Sequence, residues 1–275
     1  MRSFHIPEIC SIPSLACLDP ELQDAMWRAD ALLETMPPTD IDCWSRLLDL
    51  PVGQTLEGRL ASFSRRFGDP LAETYRVYHG VTDSGPGLGL VSQIHEQTSG
   101  LLEYAAELGS EIEDGNFSRF KSGLEHLSSH FLGRPSTLRD HPIYLAPDVH
   151  GRYGEFPDHG VLEPQLQRLF HVLCDDRLAS IYRASVAYVV ICGAHPFADG
   201  NGRVARLLFN ALLVHGGMPV HSYVPFKAIH WMSNGGLSLR LRRALQHGTW
   251  EGVMESHTHM IFLTYQVNSE GMQGR

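Results

Sequence analysis

From Leu90 onward, apolar residues recur every three or four positions in six stretches, 90–108, 116–132, 163–175, 177–193, 202–215 and 237–262. That spacing lays one apolar stripe along each helix. An earlier helix is predicted within 18–36, where Asp19 can accept from the first helical N–H groups and Pro20 fits the first helical position. The helical pattern breaks at 141–160. There, β-friendly runs at Ile143–Leu145 and Tyr153–Phe156 flank a segment containing Asp148 and Gly151, which predicts a small hairpin. The fold class is therefore mainly α.

The strongest breaker is Ser84-Gly-Pro-Gly-Leu-Gly89. It divides the chain into an N-terminal region, 1–83, partly helical and of unknown role, a Gly-rich linker, 84–89, a helical domain, 90–265, and a tail, 266–275. Gly87 and Gly89 follow the strand-like run 74–81, as in a dinucleotide loop. The third position of that fingerprint is Ser92, however, and no series of βα units follows. A linker is the better reading.

Composition narrows the choice of partners. The 275 residues carry a net charge of −9, whereas tracking a nucleic-acid backbone needs clustered Lys and Arg, so no nucleic acid is expected. Five cysteines with no C-x-x-C pair indicate neither a disulfide framework nor a zinc knuckle. A cytoplasmic protein follows as the simplest expectation. No run approaches the roughly 20 apolar residues of a membrane span, so no membrane partner is expected. Glu8 and several prolines stand where a signal peptide would have its apolar core. Delivery into another cell as an effector by a signal-independent route stays open.

The apolar helix over 178–194 stops abruptly at His195-Pro-Phe-Ala-Asp-Gly-Asn-Gly-Arg203. Gly200, Asn201 and Gly202 let successive backbone N–H groups turn towards one point, and a helix starting there adds its positive end, which makes a phosphate cradle. Arg203 and Arg206 lie three apart on that helix and can hold further phosphate oxygens bidentately, which suits a triphosphate. Asp199 inside an anion-binding loop calls for a hard cation between carboxylate and phosphate, so a Mg–nucleotide complex is inferred. His195, with an ordinary pKa near 6.5, is placed to accept a proton from an attacking hydroxyl. Phe197 is read as the pin that packs the loop on the core. Each residue alone also fits a plain helix–loop–helix turn; their order and density favour the chemistry.

The string HPFADGNGRVAR (195–206) resembles the signature of the Fic family, HPFx[D/E]GNGRxxR, at every specified position. The resemblance implies a Fic-type helical bundle over roughly 90–265 and leaves 1–83 unaccounted for. It implies a protein adenylyltransferase that moves AMP from Mg-ATP to a Ser, Thr or Tyr hydroxyl of a protein substrate. His195 becomes the general base, Asp199 the Mg²⁺ ligand, Gly200, Asn201 and Gly202 the binders of the α- and β-phosphates, Arg203 that of the β-phosphate and Arg206 that of the γ-phosphate. The hairpin corresponds to the family's flap, whose Ile143, Tyr144 and Leu145 would dock an extended target segment.

The resemblance also raises an inhibitory helix with the pattern [S/T]xxxE[G/N]. Ser99-Gly-Leu-Leu-Glu103-Tyr104 approaches it but departs at Tyr104, so a regulatory Glu103 would pair with Arg206. An antitoxin-like inhibitor or the N-terminal region are the other means of restraint. Transfer of UMP or phosphocholine, AMP removal, and a non-catalytic nucleotide-binding interaction module stand as alternatives. His141, His150 and His159 match no common metal-ligand spacing.

Overall fold

The computed structural model describes residues 3–9, 11–40, 44, 66–67, 101–144, 153–233 and 236–273. Among these the helices are α1 (Pro20–Leu33), α2 (Leu101–Glu113), α3 (Phe117–Leu132), α4 (Leu162–Leu173), α5 (Ser180–Ala194), α6 (Asn201–His215), α7 (Phe226–Met232), α8 (Gly236–His247) and α9 (Glu251–Gln273). Two short strands accompany them, β1 (Ser3–His5) and β2 (Tyr153–Glu155). The mainly α expectation holds.

The core is built around α5. Fourteen of its fifteen residues are buried, so it is apolar on all sides, as a helix sheathed by others must be. Helix α6 packs against α5 after the 195–200 turn, and α1, α4, α8 and α9 also contact α5. Helix α1 begins as its sequence predicts, with Asp19 Oδ1 accepting from Glu21 N at 2.8 Å and Leu22 N at 3.3 Å. Its Leu22, Met26, Ala29 and Leu33 are buried in the same core as α5 and α6.

Described residues of both the N-terminal region and the helical domain take part in this core. The linker 84–89 lies outside the described residues, but described residues on both sides of it belong to one apolar cluster, from Leu15 and Trp44 to Leu208 and Met254. The N-terminal region also supplies a missing cap. Ala179, which precedes α5, has no side-chain acceptor, and Asp30 on α1 accepts from Ser180 N at 2.5 Å and Ile181 N at 2.9 Å instead. The helix that ends at the motif is thus started by a residue of 1–83.

Two more boundaries differ from expectation. The stretch 237–262 is two helices, broken where Gly248 takes φ 65°. The tail expected from 266 is helical through Gln273 within α9, because Val267 and Asn268 are buried and Asn268 accepts from Trp44 Nε1 at 3.1 Å.

The hairpin is present in part. Tyr144 and Glu155 form an antiparallel bridge, and Phe156 N donates to Ile143 O at 3.2 Å. Leu145 lies outside the described residues. On the other side of β2 runs β1, parallel to it, with Ser3, Phe4 and His5 opposite Tyr153, Gly154 and Glu155. The chain's own N-terminal strand therefore fills one edge of β2, and 143–144 forms the outer strand.

Candidate active site

The turn between α5 and α6 is held from inside. Phe197 is fully buried and Asn201 is 1% exposed. The Asn201 carboxamide spans the turn, Oδ1 accepting from Phe197 N at 2.9 Å and Nδ2 donating to Phe197 O at 2.8 Å. Phe197 is the expected pin. The Asn201 side chain is spent on the loop, which leaves its backbone N–H to face a ligand.

That N–H and the one at Gly202 meet no acceptor among the described residues, while Arg203 N and Val204 N both donate to Gly200 O. Free N–H groups at a helix start, together with the helix dipole, form an anion site. Gly200 takes φ 80°, a region costly for residues with a Cβ. Asp199 is exposed and its Oδ1 accepts from Gly200 N at 2.6 Å, so a carboxylate stands at the mouth of this nest.

Both arginines border the same turn. A Cβ on Gly202 would lie 3.3 Å from Arg206 Nη1, and one on Gly200 would lie 3.9 Å from Arg203 Nη2. Arg203 is anchored by donation from Nη1 to Phe131 O at 3.0 Å, at the end of α3. Among the described residues Arg206 Nε is buried with no partner, and neither guanidinium pairs with a carboxylate. Lys227 on α7 lies close enough that, after burial, Arg206 and Arg203 hold its amine below the ordinary value. Arg203 and Arg206, which pair with no carboxylate among the described residues, make this turn a polyanion site.

His195 caps α5 in the left-handed region, φ 50°, the one non-glycine with positive φ among the described residues. Its ring stacks on Phe156 with centroids 3.9 Å apart. Burial, the largest influence, pushes its pKa down to about 4, with Arg139 adding to the fall and the Cys192 carbonyl and Asp199 opposing it. This departs from the ordinary value expected from sequence, and it leaves the imidazole neutral at pH 7. Nδ1 lies 3.1 Å from Cys192 O. A carbonyl only accepts, so Nδ1 carries the proton and Nε2 holds the free lone pair. A neutral base with a fixed tautomer results.

Sequence reasoning missed the groups that hold this arrangement. Arg139, 5% exposed, bonds backbone carbonyls on either side of the site. Asn210 ties α6 to the segment before α7, accepting from Val224 N at 2.6 Å and donating to Val224 O at 3.2 Å. His230 on α7 faces Arg206 and Lys227, and burial followed by these cations pushes it down to about 4. None carries a local signal, because each is defined by what lies across the fold.

Glu103 is placed on α2, exposed, and no bond to Arg206 is formed among the described residues. Ile143 and Tyr144 sit on the outer strand, with Tyr144 54% exposed. No three His, Cys, Asp or Glu side chains converge on a metal position among the described residues. A cation at Asp199 would therefore need most of its ligands from a bound phosphate chain and water, the habit of Mg²⁺. The donor set fits a Mg–nucleotide and does not fit a metal held by the protein alone.

Residues 121–213, which span α3 to α6 and all of this turn, match the Fic/DOC family. The likeness to the Fic/DOC family is thus carried by this segment, which holds the whole turn. Over 66 residues the Fic segment is 39% identical to a Drosophila virilis protein named protein adenylyltransferase Fic, covering 23% of this chain and 14% of that one. Over 72 residues it is 38% identical to the Caenorhabditis elegans protein adenylyltransferase fic-1, covering 25% and 14%. The chain thus spans about a seventh of the length of these curated relatives. Among solved structures, Fic-1 from C. elegans (residues 134–508) aligns over 93% of this chain and 75% of that one, with TM-score 0.51 and 18% identity. A Fic family protein from Desulfovibrio desulfuricans G20 aligns over 96% and 77%, with TM-score 0.51 and 14% identity. The Fic fold therefore extends beyond the matched segment.

Proposed function

We propose that this Fic domain transfers AMP from ATP to a Ser, Thr or Tyr hydroxyl of a protein, releasing pyrophosphate. The observation that carries the reading is a neutral imidazole, its Nε2 lone pair free, next to a helix N-terminus flanked by two arginines that pair with no carboxylate among the described residues. Curated proteins similar over the motif are named protein adenylyltransferases, which favours AMP as the group moved.

The nest at Gly200–Gly202 would hold the inner phosphates by backbone N–H groups, and Arg203 and Arg206 the outer ones bidentately. Asp199 would hold Mg²⁺, which supplies charge neutralisation on the phosphate chain. The target oxygen attacks the α-phosphorus in line, its proton passes to His195 Nε2, and the bond from the α-phosphorus to the β-bridging oxygen breaks. Fixed position and preorganised charge supply the rate. The target enters as an extended segment along the outer strand at Ile143–Tyr144, since the other edge of β2 is filled by β1.

Incubation with lysate and labelled ATP, UTP, GTP or CDP-choline tests the reading. Label from ATP alone is expected, together with its loss in His195→Ala at unchanged ATP affinity. Label from UTP or CDP-choline would replace the donor, and no label from any donor alongside ATP binding would favour a non-catalytic nucleotide-binding module.

A further inference from the structure

Arg139 stands outside the motif, yet it is one of the most engaged side chains of the site. Its Nε donates to His195 O at 2.8 Å, Nη1 to His141 O at 3.1 Å, and Nη2 to Pro157 O at 2.5 Å and to Ala194 O at 3.2 Å. Its backbone N donates to Pro196 O at 2.8 Å. Every guanidinium nitrogen has an acceptor, and none of these acceptors is a carboxylate; Asp158 acts only through its charge. Burying a cation is costly unless its donors are all satisfied. Here they are satisfied by carbonyls from three separate pieces of chain.

Those pieces are the two roots of the flap, at His141 and Pro157, and the end of α5 at Ala194–Pro196. We propose that Arg139 is the positioning residue that fixes the flap and His195 relative to each other. The imidazole is gripped twice through this one side chain. Its own carbonyl is held directly, and its ring stacks on Phe156, whose neighbour Pro157 is bound to the same guanidinium. The grip also holds His195 in its left-handed backbone conformation, which is unfavourable for an unsupported residue that carries a Cβ. The terminal carbonyls of α5, which have no partners within the helix, accept from the cation and favour it there. A lysine ammonium cannot replace this, because its three donors radiate from one atom whereas the guanidinium fork spreads them in a plane.

The inference rests on His195 as base and on the flap as docking edge, so its test needs a signal that exists without transfer. In protein labelled with ¹⁵N-histidine, wild type is expected to show His195 protonated at Nδ1 and bare at Nε2 at neutral pH. Arg139→Lys is expected to show mixed tautomers and label transfer reduced about 100-fold, the scale of a positioned general base, with ATP affinity unchanged. An unchanged His195 signature in Arg139→Lys overturns the proposal, and so does a loss of ATP affinity matching the loss of transfer, which marks general loosening. If the signature responds but wild type transfers no AMP, the coupling stands and the adenylyltransferase reading falls. Should Arg139→Lys not fold, Arg139→Ala refolded with millimolar guanidinium is expected to recover both fold and signature; failure to recover them overturns the proposal.

Discussion

The sharpest structural claim about the motif is that the Asn201 side chain serves the loop and only its backbone serves a ligand. Asn201→Ala tests it. The substitution removes the acceptor for Phe197 N and the donor to Phe197 O, bonds of 2.9 and 2.8 Å at a residue pair wholly shielded from water. Each buried polar group left unmatched costs about 1–3 kcal/mol, so the pair costs roughly 2–6 kcal/mol. In a chain of this size 1 kcal/mol moves the melting temperature by about 2–4 °C, so a fall of at least about 4 °C follows. Asn201→Asp keeps the acceptor but sets a carboxylate oxygen against Phe197 O, and it should melt low as well. Calorimetry with and without ATP reads both effects. If Asn201→Ala melts with wild type and only ATP affinity falls, the side chain belongs to the ligand and the reasoning fails.

Two further outcomes follow. His195 and His230 are pushed down by burial to about 4 and His257 to about 3, so the unfolded chain binds protons that the folded one refuses. Stability is then full above the ordinary histidine value and falls as pH drops below it, by about 1.4 kcal/mol per unit for each histidine until its folded value is reached; a melting temperature that stays flat from pH 7 to 5 would contradict this. Glu103→Gly should leave transfer unchanged, since Glu103 is exposed and unbonded to Arg206 among the described residues; a marked rise in self-labelling would restore it as a brake.

The sequence made the motif legible because its chemistry is contiguous: the cradle, both arginines and the base fall within twelve residues. The start of α1 was equally plain, since Asp19 and Pro20 act on their own helix. What was not legible depends on distant chain. Asp30 caps α5 from 150 residues away, and this joins a region that composition sets apart to the central core. Arg139 meets carbonyls, which every residue possesses, so no pattern of residue types marks it. The break between α8 and α9 was hidden because apolar spacing continues across Gly248. An amide such as Asn201 serves ligand or loop equally well by type, and only the geometry of the turn decides.

The central claim is transfer of the adenylyl group with His195 Nε2 taking the hydroxyl proton. Parallel incubations of the protein and lysate with ATP labelled at the α- or the γ-phosphorus test it most directly. The account predicts that protein-bound label comes from the α-labelled nucleotide alone, and that His195→Ala abolishes it while ATP affinity and melting temperature stay near wild type. Protein-bound label from the γ-labelled nucleotide, or undiminished α-label with His195→Ala, would contradict it.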